Sequence, residues 1–169
     1  MVCRMSLSID FADLREKVDD VDLIEEPTQQ KIIGFTELWR SKYRDGRFPS
    51  RANFDLDELT PWFGNILIMN VYGEGADFGY RLVGTNIVAG VGRDLTGKRV
   101  SESDYGGRTE HVMQSFRAPL IAGGPVFREG RVIWRQGKDW RRYASVHCPL
   151  AADGKTVDMT IGVQLYFAQ

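Results

Sequence analysis

The residues with chemistry to offer are few: two histidines, His111 and His147, two cysteines, Cys3 and Cys148, and arginines gathered near turns. His111 stands in Arg108-Thr109-Glu110-His111 at the start of a helix pattern, and its plainer reading is a polar residue in a first helical turn. His147 sits in an alternating run where Ala144, Val146, Cys148 and Leu150 share one strand face and Tyr143, Ser145 and His147 the other, so it is expected to look away from the small apolar face. Arg47, Arg51 and Arg81, with Asp55 and Asp94, are expected to form ion pairs that fasten a helical lead-in to a sheet. A ligand carboxylate site is the less favoured reading of the same group.

Residues 127–142 carry six basic residues (Arg128, Arg131, Arg135, Lys138, Arg141, Arg142) against Glu129 and Asp139, a local charge of +4. Trp134 and Trp140 lie between these arginines, and aromatics so placed can stack bases. A solvated hairpin with packed tryptophans is the bland alternative. A third reading, modestly favoured, pairs this patch with residues 1–26, where eight acidic and three basic residues give a local charge of -5, within one chain or across a dimer.

No phosphate-binding glycine loop, Gly-x-Ser-x-Gly, His-Glu-x-x-His, kinase or cyclase signature is present, and neither histidine has a catalytic motif around it, so no catalytic residue is named. Cys3 and Cys148 stand at opposite ends of the chain. A reduced compartment is expected, with no disulfide and no zinc site built from them.

The elements that must position these residues follow from periodicity. Residues 1–26 form an acidic segment, either a short amphipathic helix on Leu7, Phe11, Leu14, Val18 and Val21 or a solvated tail. Residues 27–64 form a helical lead-in: a helix over 28–43 carries Ile32, Phe35, Leu38, Trp39 and Tyr43 at helical spacing, Asp45-Gly46 stops it, and a second helix runs from Asp55, with Glu58 placed for a capping box, to Gly64. From residue 65 the pattern turns to strands. Residues 66–71 and 78–83 make a hairpin, glycines break 85–104 into short helical turns, residues 109–122 make a longer helix with Pro119 as its weak point, and 127–135, 140–149 and 156–167 are three more strands. The predicted fold is therefore α+β, a five-stranded antiparallel sheet with helices on one face plus the N-terminal helical extension.

The 169 residues fit one domain, and 22 Lys plus Arg against 23 Asp plus Glu leave a net charge of -1, which excludes a nucleic-acid binder driven by bulk charge. With 43% hydrophobic and 27% charged residues, no apolar run of membrane length and no signal-peptide pattern, a folded, cytoplasmic protein without a membrane partner is expected.

The order of elements resembles the PAS fold, specifically a branch of short bacterial PAS-like proteins with a helical lead-in. The resemblance rests on Leu38-Trp39, on Gly46-Arg47-x-Pro49-x-Arg51-x-x-x-Asp55, on Tyr80-Arg81-Leu82-Val83-Gly84-Thr85, and on Gly92-Arg93-Asp94-Leu95-Thr96-Gly97. It continues through Pro149-Leu150 and Gly162, spanning residues 34–167. It implies a small pocket between sheet and helices, and a domain that senses a ligand or partner. It also points to His111 as a candidate haem ligand, since haem-binding members carry their histidine on the corresponding helix. Covalent flavin photochemistry is not expected, because residues 92–104 contain no cysteine.

The pocket residues expected on this basis are Tyr80, Leu82, Met113, Phe116, Trp134 and Val146, with His111 as a polar anchor. The functional expectation is a single-domain sensor that binds a small molecule or partner and signals through association, as a homodimer or with a signalling partner, since the chain ends two residues past Phe167. The alternatives are a ligand-free interaction module and a haem sensor; no cofactor is assigned.

Overall fold

Ile32, Phe35 and Trp39, spaced three and four apart, are buried along one stripe of α1 (Gln30–Lys42) in the computed structural model, which describes residues 21–132 and 141–167. The helix ends where expected. Asp45 and Gly46 take positive φ (54° and 70°), and Arg44 and Arg47 bridge across the turn. The second expected helix is shorter than its pattern: α2 (Leu56–Leu59) gives way to a 3-10 turn at Thr60–Trp62, because Pro61 has no N–H to continue the ladder. Its start is as read, with Glu58 Oε2 accepting from the Asp55 N–H at 3.0 Å.

All five expected strands form: β2 (Ile66–Tyr72), β3 (Asp77–Val83), β4 (Val126–Val132), β5 (Arg141–Leu150) and β6 (Met159–Phe167). A sixth precedes them. β1 (Val21–Ile24) pairs antiparallel with β4, Ile24 opposite Phe127 and Val21 opposite Gly130, giving a sheet in the order β1-β4-β5-β6-β2-β3. This end of the acidic segment is thus neither helix nor solvated tail; the open edge of β4 supplies backbone partners that outweigh weak helical periodicity. This contact is a backbone ladder, with Asp22 opposite Glu129, and is not an ion pairing of acidic segment and basic patch. Thr28, just beyond β1, adds to it by donating its N–H and its hydroxyl to Glu129 Oε1, at 3.1 and 2.6 Å.

The sheet is covered on both sides. One face packs on the lead-in, where Ile32, Phe35, Trp39, Phe54 and Leu59 meet Val146, Cys148, Leu150, Ile161 and Val163. Trp39 Nε1 donates to the Pro149 carbonyl at 2.9 Å, so the lead-in is pinned as well as packed. Burying side chains of this size is worth about 1.5–3 kcal/mol each, which makes α1 part of the core. The other face packs Leu67, Met69, Phe78 and Tyr80 against α3 (Thr85–Val91), the turn at Val100–Glu102 and α4 (Thr109–Ala122).

Pro119 does not break α4. It lies in the last turn, before Gly123 closes the helix at φ 63°, and removes only one helical donor. Gly92 and Gly97, which bracket the path from α3 toward α4, both take positive φ (86° and 82°). That path runs along the outer edge of β3, where the Tyr80 N–H donates to the Lys98 carbonyl at 2.9 Å and the Gly97 N–H to the Tyr80 carbonyl at 2.7 Å.

The pairing of β2 with β3 slips by one residue. Met69 faces Tyr80 and Ile68 faces Leu82, which leaves Arg81 as the extra residue of a bulge.

Candidate functional site

A cavity of about 550 Å³ lies between the sheet and the helices α3 and α4. Its helical wall is mostly apolar, with Ile87, Val91, Val112 and Phe116, to which α4 adds His111 and Ser115 and the loop after α3 adds Leu95. Its sheet wall carries Arg128, Tyr143, His147, Gln164 and Tyr166. The contrast follows from having both sheet faces covered: in β5 and β6 the purely apolar residues face the lead-in, and the polar set faces the cavity.

The sheet wall is ordered by strand register. Arg128 on β4 pairs with Ser145 on β5, and Ser145 pairs with Gln164 on β6, so the three form one row across the sheet with Tyr143 and His147 on either side of Ser145. Tyr166 donates its hydroxyl to Gln164 Oε1 at 3.1 Å, and the Gln164 amide nitrogen lies 3.2 Å from His147 Nε2. An amide nitrogen can only donate, so His147 Nε2 accepts and the ring proton sits on Nδ1. Among the described residues Nδ1 makes no hydrogen bond, and the Ser145 hydroxyl, though beside the Tyr143 phenol, makes none of ordinary geometry.

Burial pushes His147 down to about 3, helped by the nearby Arg128 charge, so the imidazole is neutral at ordinary pH. Burial also draws the Arg128 guanidinium below its usual value and pushes the Tyr143 phenol up. The His147 ring meets Phe116 of α4 edge-on, with centroids 6.0 Å apart.

Toward the 92–108 stretch the cavity is closed by a tyrosine pair. Tyr80 and Tyr105 hydroxyls are 2.6 Å apart, and burial raises both phenols. Arg93 lies over the Tyr105 ring at 5.2 Å and donates to the Asp104 carbonyl. Asp94 turns inward on its own loop, accepting from the Thr96 N–H at 2.9 Å and hydroxyl at 2.6 Å. Asp104 is the one acid among the described lining residues, against Arg93, Arg108 and Arg128.

Of the residues expected in the pocket, Tyr80, Phe116 and His111 line this cavity, and Met113 is buried in the same apolar cluster behind the wall. Two corrections have clear causes. Leu82 is 44% exposed because the Arg81 bulge turns it to the opposite face from Tyr80, while Val83 takes the lining place. Val146 faces the lead-in, since the apolar face of β5 belongs to the α1 side. Trp134 lies outside the described residues. Arg128 and His147 line the cavity outside the expected pocket set, although the alternation of β5 places His147 on the correct face. The signal that could have found them is the polar run Tyr143, Ser145, His147 on a strand with both faces covered.

The expected ion pairs among Arg47, Arg51, Arg81, Asp55 and Asp94 do not form. Arg47 donates to the Asp153 carbonyl at 2.6 Å and Arg51 to the Phe54 carbonyl at 2.9 Å, Arg81 is exposed, and both aspartates serve local turns. Turn carbonyls within reach outcompete distant carboxylates. Arg47 still ties the lead-in to the β5–β6 turn, through a backbone atom. Cys148 is fully buried on the lead-in face, and burial pushes its thiol up, so it does not address the cavity.

An antiparallel sheet with helices closing a cavity over one face is the architecture of a sensory PAS module. The PAS domain family matches residues 25–126, and the chain belongs to it. Among solved structures, a variant of RsLOV is similar at 12% identity and a TM-score of 0.43, covering 84% of this chain and 71% of its own. An RNA-binding light-oxygen-voltage receptor is similar at 14% identity and a TM-score of 0.44, covering 88% of this chain; the chain spans 39% of that receptor. No curated protein matches the sequence.

Proposed function

We propose that this protein is a PAS-type sensor that holds a small organic molecule in the cavity between β4–β6 and α3–α4 and passes occupancy on through association with a second copy or a signalling partner, without turning the molecule over. The observation that carries this reading is the cavity wall itself. Well-filled interiors satisfy their buried polar atoms, yet here, among the described residues, Ser145 Oγ and His147 Nδ1 make no hydrogen bond of ordinary geometry beside a space of about 550 Å³. The neutral His147 and the raised tyrosines offer hydrogen bonds rather than acid–base catalysis at ordinary pH. A cytoplasmic setting accords with this reading, and among the described residues no helix is long and apolar enough to cross a membrane.

Native mass spectrometry and an absorption spectrum of the purified protein test the proposal. A co-purifying organic mass, with a thermal shift when it is added back, is the expected result. Repeated ligand-free spectra with no shift across a metabolite panel would leave a ligand-free interaction module. A Soret band lost in His111→Ala would assign the cavity to haem.

A further inference from the structure

We infer that the ligand of this cavity is an organic monocarboxylate with an aromatic or branched apolar body, its carboxylate held by Arg128. The inference rests on the sensor reading and adds the ligand class. Arg128 lines the cavity from β4, and among the described residues it has no ion pair and no hydrogen-bond acceptor. A part-buried guanidinium is costly unless an anion meets it. The lining provides none nearby to serve: its one acid, Asp104, belongs to the 92–108 stretch and accepts from the Gly106 N–H at 2.8 Å.

The surroundings of Arg128 fit an anion in the cavity. Ser145, its direct cross-strand partner, has a buried hydroxyl without a hydrogen bond of ordinary geometry, and His147, the next residue on that face, is 6% exposed with its Nδ1–H unsatisfied. The Tyr166–Gln164 relay holds the ring proton on Nδ1, which lies over Gly162. A guanidinium on the cavity wall, with the Ser145 hydroxyl opposite it across the strands, suits a planar two-oxygen acceptor.

Charge selects a carboxylate over a phosphate dianion. Arg93 is engaged with the Asp104 carbonyl and the Tyr105 ring, and Arg108 has its own partner, so among the described residues a second negative charge would find no second spare cation. The opposite wall is mainly apolar, with Ile87, Val91, Val112 and Phe116, and suits an apolar body with His111 and Ser115 as its polar neighbours.

The test uses the full-length protein with phenylacetate, indole-3-acetate and 4-methylpentanoate, each beside its primary amide, read by calorimetry and saturation-transfer NMR. The acids are expected to bind on the order of tenfold or more tightly than the amides, and Arg128→Met to abolish that preference. Arg128→Met is also expected to raise the melting temperature of the ligand-free protein, because it removes an unpaired part-buried charge and keeps an apolar stem. Amides binding as tightly as acids, a preference surviving in Arg128→Met, or a lower melting temperature in that variant would overturn the carboxylate assignment and leave the sensor reading standing. No binding by any probe, together with ligand-free native spectra, would overturn both.

Discussion

His147 lies directly over Gly162, its cross-strand partner on β6: a Cβ at 162 would fall 2.8 Å from His147 Nδ1 and 2.5 Å from the Val146 carbonyl oxygen. The bare glycine is what lets the imidazole settle against the sheet and hold the Gln164 relay. Gly162→Ala must push either the ring or the strand aside, at a cost of about 2 kcal/mol in urea unfolding. An unchanged midpoint would mean that the ring has another place to go.

The buried neutral state of His147 ties stability to pH. Its folded value is about 3 and its unfolded value 6.5, so the unfolded chain takes up the proton first. Stability is complete above about 6.5 and falls as pH drops toward 3, at up to about 1.4 kcal/mol per unit. His147→Gln removes this component. The difference between wild type and variant, followed by urea titration from pH 7.5 to about 4.5, is expected to shrink steadily with acidification.

Trp39 tests whether the lead-in is part of the core. It is 3% exposed and its indole N–H holds the Pro149 carbonyl. Trp39→Ala is expected to cost about 3–5 kcal/mol, and Trp39→Phe about 1–2, since the latter keeps most of the packing and loses the hydrogen bond. If unfolding monitored from β5 tyrosine signals were unaffected by Trp39→Ala, the lead-in would be a separate unit.

The hydroxyl contact between Tyr80 and Tyr105 joins the sheet to the stretch before α4. Each single Tyr→Phe change leaves the other phenol without its partner, whereas the double change leaves none. A double-mutant cycle is expected to give a coupling of about 1 kcal/mol, and hydrogen exchange in residues 97–108 should quicken in both single variants.

Much of this was legible in the sequence, because strand and helix periodicities are local. The limits of α4 at 109 and 122, the stop at Asp45-Gly46 and the alternation of β5 all stand as read. What could not be read was which of two covered faces holds the cavity. Val146 and His147 were on the correct opposite sides, but apolar was equated with ligand-facing when it meant facing α1. Leu82 was lost to a bulge that no composition signal marks, and β1 to a partner strand over a hundred residues away. The ion pairs were misjudged because an arginine beside a turn meets carbonyl oxygens sooner than carboxylates.

The two rims of the sheet have one more consequence. One rim strand is the short β1 laid against β4, and the other is β3, whose outward amide and carbonyl at Tyr80 are taken by Lys98 and Gly97. A visiting strand thus finds little backbone to zip onto at either end. Among the described residues both rims of the sheet discourage runaway extension by added strands.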